Sequence, residues 1–373
     1  MTDVIEFTKQ LISKASITPL DMGCQELIMQ ELQAAGFQFK SLPSNGVQNL
    51  FAWHGTGKPS LFFAGHTDVV PPGPTHEWDH DPFTPTIKDG FLYGRGAADM
   101  KSGLAAMVLS AKNFVLENPN HAGMVGLVIT SDEEGVATDG TVKIVEYLRA
   151  ENIIPTYVIV GECSSNEKTG DAIKIGRRGS MHGEITVIGK QAHIAYPLQG
   201  DNAIHRSFKA FDKLALTQWD NGNEFFSPTS FQFYDIKSGI AGNVIPGTLT
   251  AKFNFRFAPV STAEELQNKV KQILDEHQLK YKIQFNVSSH PYFSGACQLS
   301  DMVKQAIHEV MGFTPDLNTL GGTSDGRFFA PLGAQVIELG PVNKTIHKIN
   351  ECTNIAELLQ LQKIYTRILS LAL

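Results

Sequence analysis

Apolar residues follow two different rhythms along this chain, and the change between them divides it. In the first half, "SLFFAG" (60–65), "MVGLVIT" (124–130) and "TYVIVG" (156–161) are continuous apolar runs bounded by turn residues. Runs of that kind predict strands buried on both faces. Between them, 101–118 and 140–152 carry helical spacing, as does the opening "MTDVIEFTKQLISKAS", which would turn Val4, Ile5, Leu11 and Ile12 toward a core. Strands and helices in alternation predict an α/β domain with a largely parallel central sheet.

After "GRRGS" (176–180) the rhythm changes. "MHGEITVIG", "TSFQFYDI", "GTLTAKFNFRF" and "KYKIQFNV" alternate apolar and polar side chains, the pattern of strands with one face covered. Helical stretches at 201–218 and 262–277 complete the order β-α-β-β-α-β, the ferredoxin-like arrangement. The first rhythm returns near 291, with a helix at 299–311, a strand "AQVIELG" (334–340) and a final helix. The expected organisation is a discontinuous α/β domain at 1–178 and 291–373, with a ferredoxin-like α+β domain inserted at 179–290.

Composition narrows the function. A chain of 373 residues suits two domains, and 42% hydrophobic with 18% charged residues describes a folded globular protein. Net charge is −7 and basic residues do not cluster beyond pairs such as Arg177–Arg178, which disfavours nucleic acid as a partner. Cys24, Cys163, Cys297 and Cys352 lie far apart with no CxxC pair, as expected of reduced thiols. No apolar stretch approaches the 18 or so residues of a membrane span, and the N-terminus lacks the pattern of a signal peptide. The expected location is the cytoplasm, with no membrane partner.

Chemistry gathers where the predicted parallel strands end. "SLFFAG" runs into His66 and Asp68, "MVGLVIT" into Asp132, Glu133 and Glu134, and "TYVIVG" into Glu162. Asp99 sits in the glycine-rich "GRGAADMKSG" just before a helix, and "AQVIELG" leads through "PVNKT" to His347. Ligands of open α/β sheets bind outside the carboxyl ends of the strands, so these groups can converge in one crevice. Singly, each has a plain structural explanation: a histidine after a strand is usually structural, acids favour a helix start, and Asp99 could be an N-cap. Together, two histidines with three or four carboxylates suit zinc, or two metal ions sharing a carboxylate, better than calcium. Neighbouring side chains in an extended segment point apart, so Glu133 and Glu134 can divide metal binding from proton handling.

"GHTDVVPPG", "DGFLYGRGAADMKSG", "TSDEEG", "GRRGS", "GGTSDGRFFA" and "ELGPVNKTIHKINE" resemble the di-zinc aminoacylase and carboxypeptidase superfamily over essentially the whole chain. "PPGPTHEW", "GRGAADMKSG" and "GPVNKTIH" direct the likeness to its desuccinylase branch. The resemblance implies two zinc ions per subunit bridged by Asp99, one also bound by His66 and Glu162, the other by Glu134 and His347. Cobalt is implied as a substitute at one site. Asp68 would orient His66, Glu133 would be the general base, and the Asp99–Met100 peptide would be cis. The inserted domain would be a lid and dimerisation domain, with His193 reaching the partner's active site in a homodimer to stabilise an oxyanion. Arg177, Ser180, Tyr196, Asn243, Arg256, Thr323 and Asn343 match positions that contact the carboxylates and amines of a small-molecule substrate. The implied reaction is hydrolysis of N-succinyl-LL-2,6-diaminopimelate, with an acetylornithine deacetylase or aminoacylase reaction as the alternative. Departures from the family pattern fall at Cys163, Ala192, Leu198 and the residues before Asn243.

Overall fold

The computed structural model describes residues 3–373, which form two compact units. The first unit holds residues up to Gly176, Phe293–Asn318 and Ser324–Leu373. At its centre is an eight-stranded sheet. The strand order is Gln38–Ser41, Asn49–Gly55, Met124–Thr130, Ser60–His66, Tyr157–Val160, Gln335–Glu338, Ala172–Lys174, Asp316–Asn318. The four strands from Met124–Thr130 to Gln335–Glu338 run parallel, and every residue of the first three is buried. That double-sided burial is what their unbroken apolar runs require.

Helices cover the parallel centre. Lys101–Glu117 is buried at every position from Lys101 to Ala111, and Ser110 Oγ donates to the Gln362 carbonyl of the C-terminal helix Ile355–Ala372 at 2.9 Å. Tyr365 of that helix meets Phe63 of the sheet edge-on, with ring centroids 5.2 Å apart. The N-terminal helix Val4–Ile12 buries Val4, Phe7, Leu11 and Ile12, spaced for one face. Phe7 takes the core position expected of Ile5, which is half-buried.

The sequence pattern missed the helix Cys24–Gln33 and the antiparallel edge formed by Gln38–Ser41 and Asn49–Gly55. In that hairpin only Asn49–Gly55 is well covered, and Gln38–Ser41 is almost wholly exposed. An exposed edge strand carries no apolar run to read. All four cysteines are free thiols, as expected, and no helix among the described residues is long and apolar enough to cross a membrane.

The second unit comprises Arg177–Tyr292 and Thr319–Thr323. Its four-stranded antiparallel sheet has the order Ser230–Ser238, Thr248–Phe257, Gly179–Ile188, Tyr281–Ser289. Along Thr248–Phe257 burial alternates strictly, placing Leu249, Ala251, Phe253, Phe255 and Phe257 in the core. Helices Ala203–Leu216 and Ala263–Glu276 close that face. Each begins at a sequence-encoded cap. Asn202 accepts from the Ile204 N–H at 2.9 Å, while Thr262 and Glu265 form a reciprocal capping box. Residues 319–323, placed by the sequence reading in the last part of the α/β domain, pack instead in this unit, where Thr319 Oγ1 donates to the Phe225 carbonyl.

Candidate metal centre

Three neighbouring parallel strands end at one level. His66 is the last residue of its strand and pairs with Thr130, so the acids after Thr130 lie beside it. On the other side Ala64 pairs with Val160, and the Gly161 N–H donates to the Ala64 carbonyl, which brings Glu162 alongside. Asp99 is set over this edge by close packing. A Cβ on Gly65 or on Gly161 would lie 2.6 Å from the Met100 methyl, so the absence of side chains there lets Met100 seat in its present position without shifting. Each of those glycines immediately precedes a site residue, and Met100 immediately follows Asp99. The Asp99–Met100 peptide is cis.

The donor atoms converge from several elements. His66 Nε2 lies 3.5 Å from Asp99 Oδ1 and 3.5 Å from Glu162 Oε1. His347 Nε2 lies 3.5 Å from Asp99 Oδ2 and 3.1 Å from Glu134 Oε1. The two oxygens of Asp99 thus face two different histidines. His66 Nε2, Asp99 Oδ1 and Glu162 Oε1 are buried without a hydrogen-bond partner, which ordinary buried polar atoms avoid. A tetrahedral shell with bonds of about 2.1 Å sets neighbouring donor atoms ~3.4 Å apart. The three 3.5 Å histidine–carboxylate spacings are close to that value, the 3.1 Å one between His347 and Glu134 is a hydrogen bond, and nitrogen with carboxylate oxygen is a donor set for zinc-like ions. The residues fit a pair of metal ions.

His66 is aimed from behind. Its Nδ1–H donates to the backbone carbonyl of Asp68 at 2.8 Å, which leaves Nε2 facing the carboxylates. Asp68 is the residue expected to orient His66, and its backbone carbonyl makes this contact. The Asp68 carboxylate lies 3.6 Å from the same nitrogen and accepts the backbone N–H groups of Glu133 and Glu134, at 3.3 and 3.1 Å. Asp68 therefore sets both the imidazole and the turn that carries the glutamate pair. One ligand atom each from His66, Glu133 and Glu162 lies within 4.8 Å of the others, and the same holds for His66, Asp99 and Glu134. His347 reaches the site from an exposed turn with φ of 60°, a left-handed conformation uncommon outside glycine.

Crowded acids and buried rings shift each other's protonation. Burial opposes a charge on His66, but the Asp99 and Glu162 carboxylates facing it hold its pKa well above the usual imidazole value. At 3.5 Å they act on the ring as charges. Asp99 and Glu134 raise His347 to about 10. Burial, then the Asp99 charge, raises Glu162 to about 7, while burial and the Glu162 charge push Glu133 well above the carboxylate range. Asp99, buried too, is held low by the two histidines. Dications held among these groups would do the neutralising that protons otherwise must.

The remaining candidates fall into two groups in the second unit. His193, Tyr196 and Asn243 come together on an exposed edge. Ala192–His193 pairs with Val244–Ile245, the Ile194 N–H donates to the Asn243 carbonyl, and the His193 and Tyr196 rings are 5.8 Å apart. Ser180 and Arg256 face each other across adjacent strands, with Asn254 Nδ2 donating to Ser180 Oγ at 3.1 Å. Arg177 turns elsewhere, donating to the Leu320 carbonyl, and a Cβ on Gly321 would collide with its guanidinium. Arg178, two residues before Ser180, carries a charge that Arg256 feels: burial, then the Arg178 charge, lowers Arg256. "GRRGS" marks both arginines, but neighbours on extended chain point to opposite faces, so the motif alone could not choose between them. Thr323 is half-buried in the second unit; Asn343 is half-buried in the first, its N–H bonded to the Ser165 carbonyl.

This chain belongs to the peptidase family M20/M25/M40, whose model matches residues 62–371. A succinyl-diaminopimelate desuccinylase of Coxiella burnetii is 60% identical over 372 residues, covering 100% of both chains. One from Marinobacter nauticus is 50% identical over 369 residues, covering 99% of this chain and 98% of its own. Among solved structures, an M20 family metallo-carboxypeptidase of Sulfolobus solfataricus shares the fold, with a TM-score of 0.81 at 18% identity over 100% of this chain and 99% of its own.

Proposed function

We propose that this chain is a dinuclear metal-dependent amidohydrolase that cleaves N-succinyl-LL-2,6-diaminopimelate with water to succinate and LL-2,6-diaminopimelate. The observation that carries the reaction class is Asp99, whose two oxygens face two different histidines beside a pair of strand-end glutamates. Full-length identity of 60% to a desuccinylase carries the substrate. His66, Asp99 and Glu162 would hold one zinc ion, and Asp99, Glu134 and His347 the other, with cobalt able to replace zinc at one of them.

Two such ions supply a water of lowered pKa, from 15.7 toward about 7, and polarise the scissile carbonyl. Glu133 takes the proton of the attacking water and returns it to the leaving amine. A raised pKa suits that exchange, since the group must both accept and release a proton near neutral pH. Asp68 holds the glutamate turn and the His66 ring while this happens. Arg177, Ser180, Tyr196, Asn243, Arg256, Thr323 and Asn343 are the proposed contacts for the substrate's carboxylates and amines, with Arg178 added to them. A guanidinium pair flanked by a hydroxyl is suited to a carboxylate.

On metal-loaded protein, N-succinyl-LL-2,6-diaminopimelate is expected to be turned over at least tenfold faster than N-acetylornithine or an acetylated amino acid, with succinate and LL-2,6-diaminopimelate released in equal amounts. Preference for the acetyl compounds would transfer the chain to the deacetylase alternative.

The second unit is proposed as a lid and as the interface of a cytoplasmic homodimer, in which His193 of the partner subunit donates to the developing oxyanion. Losing one such donor typically costs about 10²–10³-fold. His193→Ala and Glu133→Ala, each inactive alone, should recover activity when mixed under conditions that exchange subunits, because one site of the mixed dimer is then whole. Verified exchange with no recovery would place His193 in its own subunit's chemistry or outside it.

A further inference from the structure

Glu351 is buried four residues beyond His347, and its carboxylate serves one loop. Oε1 accepts the backbone N–H groups of Ala98 and Asp99, both at 2.9 Å. Oε2 accepts the Gly96 N–H at 3.0 Å and Arg95 Nη1 at 2.6 Å. The Glu351 backbone carbonyl accepts from the Gly94 N–H at 3.0 Å. Residues 94–100 lie outside helix and strand, so their N–H groups need partners from elsewhere.

A carboxylate is a costly choice for a buried acceptor unless several donors meet it. Here four do, and hydrogen bonds to an ionised acceptor are roughly twice as strong as neutral ones. The loop is held from its other side as well. The Arg95 guanidinium lies 5.2 Å from the Trp78 ring centroid, and the Lys101 N–H closes onto the Gly96 carbonyl at 2.9 Å. The next residue back, Asn350, exchanges hydrogen bonds with Asp79, accepting its N–H and donating to its carboxylate, so the segment bearing Glu351 is itself fixed.

We propose that Glu351 is a positioning residue for Asp99: its carboxylate gathers the inward N–H groups of the loop, that of Asp99 included, and so fixes the direction in which the Asp99 oxygens face His66 and His347. Because the same short segment carries His347, it sets one histidine of the centre and the carboxylate between the two histidines together. The assignment rests on the metal-centre reading above. Glu351 touches no metal donor atom in this role; it acts through the backbone.

The test uses Glu351→Gln in the full-length chain. The amide keeps one acceptor oxygen but turns an NH₂ toward donors that need an acceptor. Competitive metal titration should show both sites weakened by roughly 10–100-fold, the range for losing a partner that orients a ligand, with KM for the substrate unchanged at saturating metal. Amide hydrogen exchange at Gly96, Ala98 and Asp99 should quicken, while the strand Ser60–His66 keeps its protection. A variant that binds two metals as tightly as wild type overturns the proposal and leaves the metal centre standing. Wild-type protein that binds no metal overturns the metal reading, and this assignment with it. Should Glu351→Gln fail to fold, wild type decides: the three amides should already be protected in metal-stripped protein, and protection that arises only on metal loading would contradict a loop fixed by Glu351.

Discussion

Glu133→Ala is expected to keep the wild-type metal content while losing turnover by about 10²–10⁴-fold, the usual share of general acid–base help. The expectation follows from the way the strand end splits two adjacent acids. Glu134 Oε1 is 3.1 Å from His347 Nε2, in reach of an ion shared with Asp99. Glu133 faces the His66 and Glu162 side and is driven toward its protonated form by burial and by the Glu162 charge. Glu134→Ala should therefore lose metal, chiefly from the His347 side. Metal analysis of both variants after desalting, alongside their initial rates, checks the division. Metal lost from Glu133→Ala and retained by Glu134→Ala would reverse the two roles.

Asp99→Ala should abolish activity and weaken both metal sites at once, by more than the roughly 10–100-fold typical of losing an outer partner. The two oxygens of Asp99 lie 3.5 Å from two different histidines, so its loss takes a donor from each side. His66→Ala and His347→Ala should each weaken mainly one site, which a two-site titration separates from the double loss. Protons compete for the same donors. With His347 raised to about 10 and Glu162 to about 7, metal uptake must displace protons at neutral pH, so affinity should fall as pH falls from 8 to 6. Proton release measured in two buffers of different ionisation enthalpy would show it.

Much of this site was legible before any coordinates because buried parallel strands leave a plain signature. The runs ending at Gly65, Thr130 and Gly161 carry their chemistry on the next few residues, and a parallel sheet brings such ends to one level. The four alternating strands of the second unit were equally readable, since one covered face enforces a period of two. What stayed hidden depends on partners far along the chain. Gln38–Ser41 forms an exposed edge and buries little. Met100 seats against Gly65 and Gly161, which no local pattern announces. The division of labour at Asp68, backbone to His66 and carboxylate to the glutamate turn, is set by the fold of the turn. Glu351 stood at the end of a recognised motif without a role, because its four donors lie more than 250 residues earlier.

The most direct test strips the wild-type chain of metal, confirms the removal by elemental analysis, and follows N-succinyl-LL-2,6-diaminopimelate cleavage as zinc is returned in measured equivalents. Turnover should be absent at zero metal, rise with loading and level off at two ions per chain, with binding saturating at the same ratio. Full turnover in rigorously metal-free protein, or none with two ions bound, would contradict a dinuclear desuccinylase.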